Sequence, residues 1–197
     1  MSKIGIMGGT FNPIHNGHIS LAKAALDELG LDKVWFMPSK NPPHKSHKDI
    51  ASEYHRVNMI KLAIKEYKEF EISKVELERE GITYTSDTLT YLHDSYPNDE
   101  FFFIMGADSL INIEKWHCPE LLFKLTTFAV ASRDDVDINE LNNMCNYLAS
   151  KYNYVRIKVL NMDKINASSS QVRLDEAFHN VINPKVSEYI KSNGLYD

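Results

Sequence analysis

Short apolar runs alternate with helical patterns along nearly the whole of this 197-residue chain. Buried parallel strands are almost continuous in apolar residues, so such runs predict strands when they are only four to eight residues long. Six segments fit this description: Lys3–Met7, Lys33–Met37, Phe70–Leu77, Glu100–Met105, Thr127–Ala131 and Val155–Leu160. Their regular spacing predicts an ordered series of strands separated by longer connections.

Between these runs, apolar residues recur at helical spacing. One predicted helix has a face formed by Ile19, Ala22, Ala25, Leu26 and Leu29 and ends at Gly30. A second has a face formed by Val57, Ile60, Leu62, Ala63 and Ile64. A surface helix is expected within Asp134–Lys151, and a final docking helix over Pro184–Ser192.

This alternation predicts βαβ units, and therefore an α/β fold with a Rossmann-like, doubly wound and mostly parallel sheet. Helices should cover both faces of the sheet. A ligand should lie at the carboxyl ends of the strands, near the point where the strand order reverses. No internal repeat or long linker divides the pattern, so we expect one domain over residues 1–197.

Composition narrows the class of protein further. The net charge of −5 argues against a general nucleic-acid binder, whose affinity depends on neutralising many phosphates. Cys118 and Cys145 form no pattern, so we expect reduced thiols rather than a disulfide framework. Since we find neither a signal-peptide pattern nor a span of membrane length, we expect a cytoplasmic protein without nucleic-acid or membrane partners.

The most informative segment is GGTFNPIHNGH, residues 8–18, directly after the first predicted strand. Glycines at a strand-to-helix turn let the backbone approach a ligand, and the amide groups at the helix start favour an anion. His15 and His18 lie on neighbouring positions of that helix start. A tight turn, a surface pair or half of a metal site would explain the parts, but the whole segment predicts a phosphate site. It is neither a Walker loop nor a dinucleotide fingerprint.

Other candidate residues also follow predicted strands. Lys45 lies in a loop with consecutive prolines and can be presented to a phosphate, although a solvated charged loop is an equal alternative. Gly106 permits close approach of a ligand, and Asp108 can accept hydrogen bonds from ribose hydroxyls or begin a helix. Trp116, followed by His117, can stack on a flat ring or fill the core.

Two segments rich in hydroxyl groups precede predicted helices. Thr85 lies in a Thr-Tyr-Thr segment before an apolar helix, where capping explains it adequately. Ser168 and Ser169, with Arg173 one turn later, offer hydroxyls, amides and a cation to an anion. Alternatively, the serines only cap the helix and the arginine lies on the surface without a ligand. Two helix starts that can bind phosphate, from opposite ends of the chain, favour a triphosphate ligand.

Taken in this order, the segments resemble the bacterial nicotinate mononucleotide adenylyltransferase family, one of the nucleotidyltransferases with a His-x-Gly-His motif. The resemblance runs from Lys3 to Tyr196. Phosphopantetheine adenylyltransferases share the glycine-histidine segment and the Ser-Ser-x-x-x-Arg type of motif. They lack the Pro-Pro-His-Lys loop, the Thr-Tyr-Thr segment and the Gly-Ala-Asp stretch with its downstream tryptophan, so these three segments narrow the family.

The resemblance implies an enzyme that joins ATP to nicotinate mononucleotide and releases pyrophosphate, with Mg²⁺ carried on ATP and no dedicated metal site. It implies catalytic roles for His15, His18, Lys45 and Arg173. It implies contacts to ATP and the dinucleotide from Gly8, Gly9, Thr10, Phe11, Gly106, Asp108, Ser168 and Ser169. It implies a nicotinate pocket formed by Thr85, Trp116 and His117.

Two positions depart from the family pattern. Asn12 stands where aspartate is common, and either residue can brace the turn. Arg133 lies where the family often has Arg-Pro-Gly, but Asp134 and Asp135 follow it here, so we assign it no phosphate contact.

The sequence leaves open the identity of the acceptor, the presence of catalysis and the oligomeric state. The acceptor could be nicotinamide mononucleotide or phosphopantetheine, since either would keep the ATP half of the site. A catalytically silent nucleotide sensor should have lost His15, His18 or Arg173, yet all three are present. The formation of a homo-oligomer is left open by the sequence.

Overall fold

A computed structural model of the chain describes residues 1–40, 50–131, 137–161, 169–174 and 181–196. Its strands are β1 (Lys3–Gly9), β2 (Lys33–Pro38), β3 (Phe70–Ile72), β4 (Glu100–Gly106), β5 (Thr127–Ala131) and β6 (Ile157–Leu160). Its helices are α1 (Asn16–Leu29), α2 (Glu53–Ile64), α3 (Val75–Glu78), α4 (Thr85–Ser95), α5 (Ala107–Ile111), α6 (Pro119–Leu125), α7 (Ile138–Lys151), α8 (Ser169–Leu174) and α9 (Pro184–Ser192). A 3₁₀ turn covers Ile113–Lys115.

The strands form one parallel sheet in the order β3-β2-β1-β4-β5-β6. The chain moves outward from β1 to β3, then returns to place β4 on the other side of β1. In register, Ile6 of β1 pairs with Trp35 of β2 and Phe103 of β4. The strand order therefore reverses between β1 and β4, which is where an open α/β sheet forms a binding crevice. The predicted Rossmann-like fold is confirmed.

The core lies in two layers because successive side chains of a strand point to opposite faces. In β4, Phe102 and Ile104 pack in a cluster with apolar residues of α1, α2 and α9. Phe101 and Phe103 pack on the opposite face with apolar residues of α4, α5, α6 and α7. Helices thus cover both faces of the sheet, as the sequence predicts.

The predicted helix that ends at Gly30 is α1, and Gly30 adopts the left-handed conformation with φ 59°. The largest error concerns the predicted strand Phe70–Leu77, which ends at Ile72 and is followed by α3. This strand lies at the sheet edge and pairs with β2 over only three residues, so its pairing with β2 stops well before the end of the predicted segment.

The predicted segments near the end of the chain are nearly right. The surface helix begins at Ile138, with Asp137 as its N-cap, and the last strand begins at Ile157. The docking helix covers Pro184–Ser192 as predicted. In the described parts of the chain, no helix combines the length and apolarity that crossing a membrane requires.

Gly5 in β1 offers a test of this packing. A β-carbon there would lie 2.8 Å from Ile104 Cδ1 and 2.9 Å from Leu31 Cδ1, both in the core. Overpacking of this kind costs about 1–3 kcal/mol, which exceeds the roughly 0.4–1 kcal/mol that losing a glycine gains by restricting the unfolded chain. We expect Gly5→Ala to lower the free energy of unfolding in urea. An unchanged transition midpoint would contradict the crowding at β1.

Candidate active site

A cavity of about 890 Å³ opens at the carboxyl ends of β1 and β4. It lies where the strand order reverses, as the sequence predicts for a ligand site. The predicted site residues that line it are Gly8, Gly9, Thr10, Phe11, His15, His18, Thr85, Gly106, Asp108, Trp116, His117 and Ser169. The fold therefore brings residues from the first, middle and last thirds of the chain to one cavity. Their individual roles stay predictions.

Four further residues from the sequence analysis comprise three outside the described part of the chain and one beside the cavity. Lys45, Ser168 and Arg133 lie outside the described residues. Arg173 lies beside the cavity, where its Nη1 donates to the Asn12 carbonyl at 2.6 Å and to the Ser169 carbonyl at 3.2 Å. In this structure Arg173 ties the start of α8 to the loop before α1.

The loop between β1 and α1 has an unusual backbone at Phe11. This residue adopts the left-handed conformation with φ 49°, which costs a non-glycine residue about 1–2 kcal/mol. Its side chain is buried and packs beneath Gly9, where a β-carbon would lie 3.2 Å from the Phe11 ring. A β-carbon at Gly8 would lie 3.3 Å from the Phe103 ring. A side chain at either glycine would therefore press on an aromatic ring, a contact that the sequence did not reveal.

His15 and His18 form a compact pair at the start of α1. Their ring centroids lie 3.7 Å apart, and the backbone N–H of His15 donates to His18 Nδ1 at 3.2 Å. Because Nδ1 accepts this hydrogen bond, the neutral His18 ring carries its proton on Nε2. That tautomer can donate to a phosphate oxygen. The helix start adds amide groups and the positive end of the helix dipole.

Flat aromatic rings form another part of the cavity wall. The rings of Tyr84 and His117 stack at 4.3 Å with an interplanar angle of 20°, and Ser86 Oγ lies 3.1 Å from His117 Nδ1. Trp116 is half-buried and packs edge-on against Phe103 at 6.0 Å. This side of the cavity suits a flat heteroaromatic ring, since aromatic faces stack well on such rings.

The cavity residues that the sequence analysis did not assign to the site include Tyr84, Lys115 and Glu76. Tyr84 stands between the threonines of the Thr-Tyr-Thr segment, and Lys115 directly precedes Trp116. Both could have been predicted as site residues because they are adjacent to predicted ones. Lys115 Nζ donates to Asn112 Oδ1 at 2.8 Å and brings a cation to the cavity. Glu76 was missed because its segment was predicted to continue an apolar strand.

Glu76 is a buried carboxyl in the cavity wall. Its Oε1 accepts a hydrogen bond from the Thr88 hydroxyl at 3.0 Å, and Arg79 Nη1 donates to the same hydroxyl oxygen at 3.2 Å. Burial raises the pKa of the Glu76 carboxyl above its usual value, while the Thr88 hydrogen bond and the charge of Arg79 oppose that rise. Glu76 therefore joins α3 to α4 beneath the segment that contains Tyr84 and Thr85.

Carboxylates in the described residues do not gather into a metal cage. Within that part of the chain, no group of three or more His, Cys, Asp or Glu side chains is placed to hold a metal ion. Asp108 and Glu76 both line the cavity. The described residues thus supply hydrogen-bond donors, aromatic faces and two carboxyl groups.

Comparison with known proteins identifies the family. Residues 6–174 match the family model described as Cytidylyltransferase-like, which places the chain in that class. The probable nicotinate-nucleotide adenylyltransferase of Lachnoclostridium phytofermentans is 39% identical, with 100% of both chains covered. The nicotinate-nucleotide adenylyltransferase of Bacillus subtilis is 38% identical, also with 100% of both covered. The chain belongs to the nicotinate-nucleotide adenylyltransferase family.

Solved structures agree on the fold. The Plasmodium falciparum nicotinic acid mononucleotide adenylyltransferase complexed with NaAD has a TM-score of 0.80 and 24% identity, covering 100% of this chain and 98% of its own. The same enzyme complexed with APC has a TM-score of 0.82 and 22% identity, with the same coverage. The architecture described above is thus shared by a distant enzyme.

The burial of Glu76 predicts how stability changes with pH. Because its pKa is raised on folding, the stability that its protonated form contributes is complete below the unfolded pKa, near 4.5, and is lost as pH rises through the higher folded pKa. Gln keeps an oxygen that can accept from Thr88 but cannot ionise. We expect Glu76→Gln to gain stability relative to the wild type as pH rises from about 4.5 to neutrality.

Urea unfolding across that pH range measures the difference. Glu78→Gln removes an exposed carboxylate from the same short helix and is the matched control for the loss of one negative charge. A difference between Glu76→Gln and wild type that is constant with pH would contradict the burial of an ionisable Glu76.

Proposed function

We propose that this chain transfers the adenylyl group of ATP to nicotinate mononucleotide, forming nicotinate adenine dinucleotide and releasing pyrophosphate. One observation carries the proposal: a single cavity at the reversal of strand order joins a histidine-bearing helix start to flat aromatic rings. Such a cavity suits a molecule with phosphates at its centre and rings at its ends. Relatives named for this reaction, with 38–39% identity over their full length, support the choice of substrates.

In the proposed step, a phosphate oxygen of nicotinate mononucleotide bonds to the α-phosphorus of ATP as the bond to the leaving pyrophosphate oxygen breaks. The second pKa of a phosphate monoester is about 6, so the attacking group is already largely ionised at pH 7. No general base is needed. Catalysis then depends on in-line positioning and on stabilising charge at the α-phosphate and pyrophosphate.

The phosphate side of the cavity supplies that stabilisation in our proposal. His15, His18 and the amides at the start of α1 bind the ATP phosphates, while Lys45 and Arg173 add positive charge. Ser168 and Ser169 hold the triphosphate and adenylate. The remaining contacts to ATP and the dinucleotide come from Gly8, Gly9, Thr10, Phe11, Gly106 and Asp108, with the last two on the ribose of adenosine.

The aromatic side of the cavity selects the acceptor in our proposal. Trp116 stacks on the pyridine ring, and Thr85 and His117 complete the nicotinate pocket, with backbone amides meeting the carboxylate. Tyr84 supports this pocket through its stacking on His117. The alternative acceptors, nicotinamide mononucleotide and phosphopantetheine, remain outcomes of the test below.

Mg²⁺ enters with ATP in this proposal, as the counter-ion of the substrate, and neutralises part of the charge on the leaving pyrophosphate. The cytoplasmic location and the lack of nucleic-acid partners stay predictions from composition. The formation of a homo-oligomer is also untested.

Pyrophosphate release from MgATP tests the proposal directly. We expect rapid release by purified protein with nicotinate mononucleotide, and much slower release with nicotinamide mononucleotide or phosphopantetheine. A preference for either alternative acceptor would show that the proposed substrate is wrong and that adenylyl transfer is right. Binding of MgATP without release on any acceptor would instead favour a nucleotide sensor.

His18→Asn tests the phosphate side. Asparagine keeps an oxygen that can accept the N–H of His15, and so preserves the helix start, but lacks the Nε2 donor. We expect kcat to fall about 100-fold or more, as when one donor to a developing charge is removed, with the thermal midpoint nearly unchanged. His93→Asn, on the exposed face of α4, is the matched control. A folded His18→Asn protein with wild-type turnover would contradict the proposed role of His18 in binding the ATP phosphates.

A further inference from the structure

The loop between β1 and α1 is held by hydrogen bonds to its carbonyl oxygens. Three of these carbonyls, together with that of Gly9 at the end of β1, each accept a hydrogen bond from a donor elsewhere in the chain. The pairs are Ser39 N–H to Gly9 at 2.9 Å, Arg56 Nη1 to Thr10 at 2.9 Å, Arg173 Nη1 to Asn12 at 2.6 Å, and Ser169 Oγ to Pro13 at 2.9 Å. Carbonyl oxygens repel an anion, whereas backbone N–H groups attract one. Carbonyls that are bonded to other donors therefore suit a loop that binds phosphate.

These tethers surround the strained residue of the loop. Phe11 adopts a left-handed backbone, and the carbonyls on either side, at Thr10 and Asn12, are those bonded by Arg56 and Arg173. A sparsely populated backbone conformation persists only where neighbouring contacts hold it. The two arginines therefore fix the conformation that places His15 and the start of α1 at the cavity.

Arg56 is buried to an unusual degree for an arginine. It is 1% exposed, and its Nε donates to the Ala51 carbonyl at 3.1 Å in addition to the Thr10 bond. Burial lowers the pKa of this guanidinium from its usual value. Desolvating a cation is costly, so its place behind the loop requires a compensating role. Its hydrogen bonds indicate that Arg56 holds the backbone carbonyls of Ala51 and Thr10 in place.

Tyr196 completes the same network from the last residues of the described chain. Its hydroxyl donates to Asn12 Oδ1 at 2.8 Å, and the same oxygen accepts the Ala51 N–H at 2.9 Å. Burial raises the pKa of the Tyr196 hydroxyl, which keeps it protonated as a donor. Arg56, Ala51, Asn12 and Tyr196 thus form one connected chain of contacts to the loop.

We propose that Arg56 and Tyr196 are positioning residues for adenylyl transfer, which hold the loop before α1 in its triphosphate-binding conformation through Thr10, Ala51 and Asn12. Neither side chain lines the cavity among the described residues, so each acts through the loop. The inference rests on the proposed function for its activity readout. It goes beyond that function because it connects residues 56 and 196 to the binding of ATP.

Tyr196→Phe is the sharpest test, because it removes one hydroxyl and keeps the ring. Tyr189→Phe is the matched control: its hydroxyl contacts His55 Nδ1 at 2.9 Å and Asn58 Nδ2 at 3.2 Å, away from the loop. We expect Tyr196→Phe to lower kcat/KM for MgATP about fivefold, the factor expected from losing one neutral hydrogen bond, with the KM for the acceptor unchanged. Tyr189→Phe should change neither value.

A double-mutant cycle separates positioning from general stability. Asn12→Leu removes the acceptor of the Tyr196 hydroxyl, so adding Tyr196→Phe to Asn12→Leu should cause no further loss of kcat/KM. Additive losses would overturn the inference. So would a Tyr196→Phe protein that unfolds at a lower temperature but retains wild-type kcat/KM for MgATP, because that result assigns the contact to stability alone.

MgATP binding by calorimetry keeps this inference distinct from the proposed function. If wild-type protein turns over none of the acceptors, the proposed function fails, yet a fivefold weaker affinity of Tyr196→Phe for MgATP would still support positioning. Equal affinities and equal kcat/KM values in wild type and variant would overturn the positioning role whatever the acceptor proves to be.

Discussion

The pairing of β1 with both β2 and β4 is the constraint on which the rest of this structure depends. Because the connections of these strands leave toward opposite edges of the sheet, a crevice forms between their carboxyl ends. Gly8 and Gly9 end one strand and Gly106 ends the other, so the backbone on both sides can approach a ligand. The cavity is a consequence of this strand order.

One part of the cavity collects groups that attract an anion, within a chain of net charge −5. The start of α1 contributes amide groups and a histidine pair, and Lys115 contributes a cation at the cavity wall. Such an arrangement suits a small anionic substrate better than a polymer, whose binding requires charge spread across a surface. Phosphoryl chemistry without a general base is consistent with the donors that the cavity collects.

Sequence reasoning succeeded where the signal is local. The glycines and the histidine pair of residues 8–18 are adjacent to a strand end and a helix start, and the structure places them in the cavity wall. The alternation of apolar runs predicted the sheet. It was wrong for Phe70–Leu77, because strand length at a sheet edge depends on the partner strand. It also missed Glu76. This residue lies in the helix α3, whose short apolar pattern is equally typical of a strand.

The sequence by itself determined the succession of strands and helices along the chain, the family resemblance and about half of the residues that line the cavity. It could do so because side-chain periodicity and motif spacing act over a few residues. Only the tertiary structure decided what lies behind the loop. Arg56 reaches Thr10 across 46 positions and Tyr196 reaches Asn12 across 184. Contacts at such separations depend on strand order and helix docking, and no local pattern encodes them.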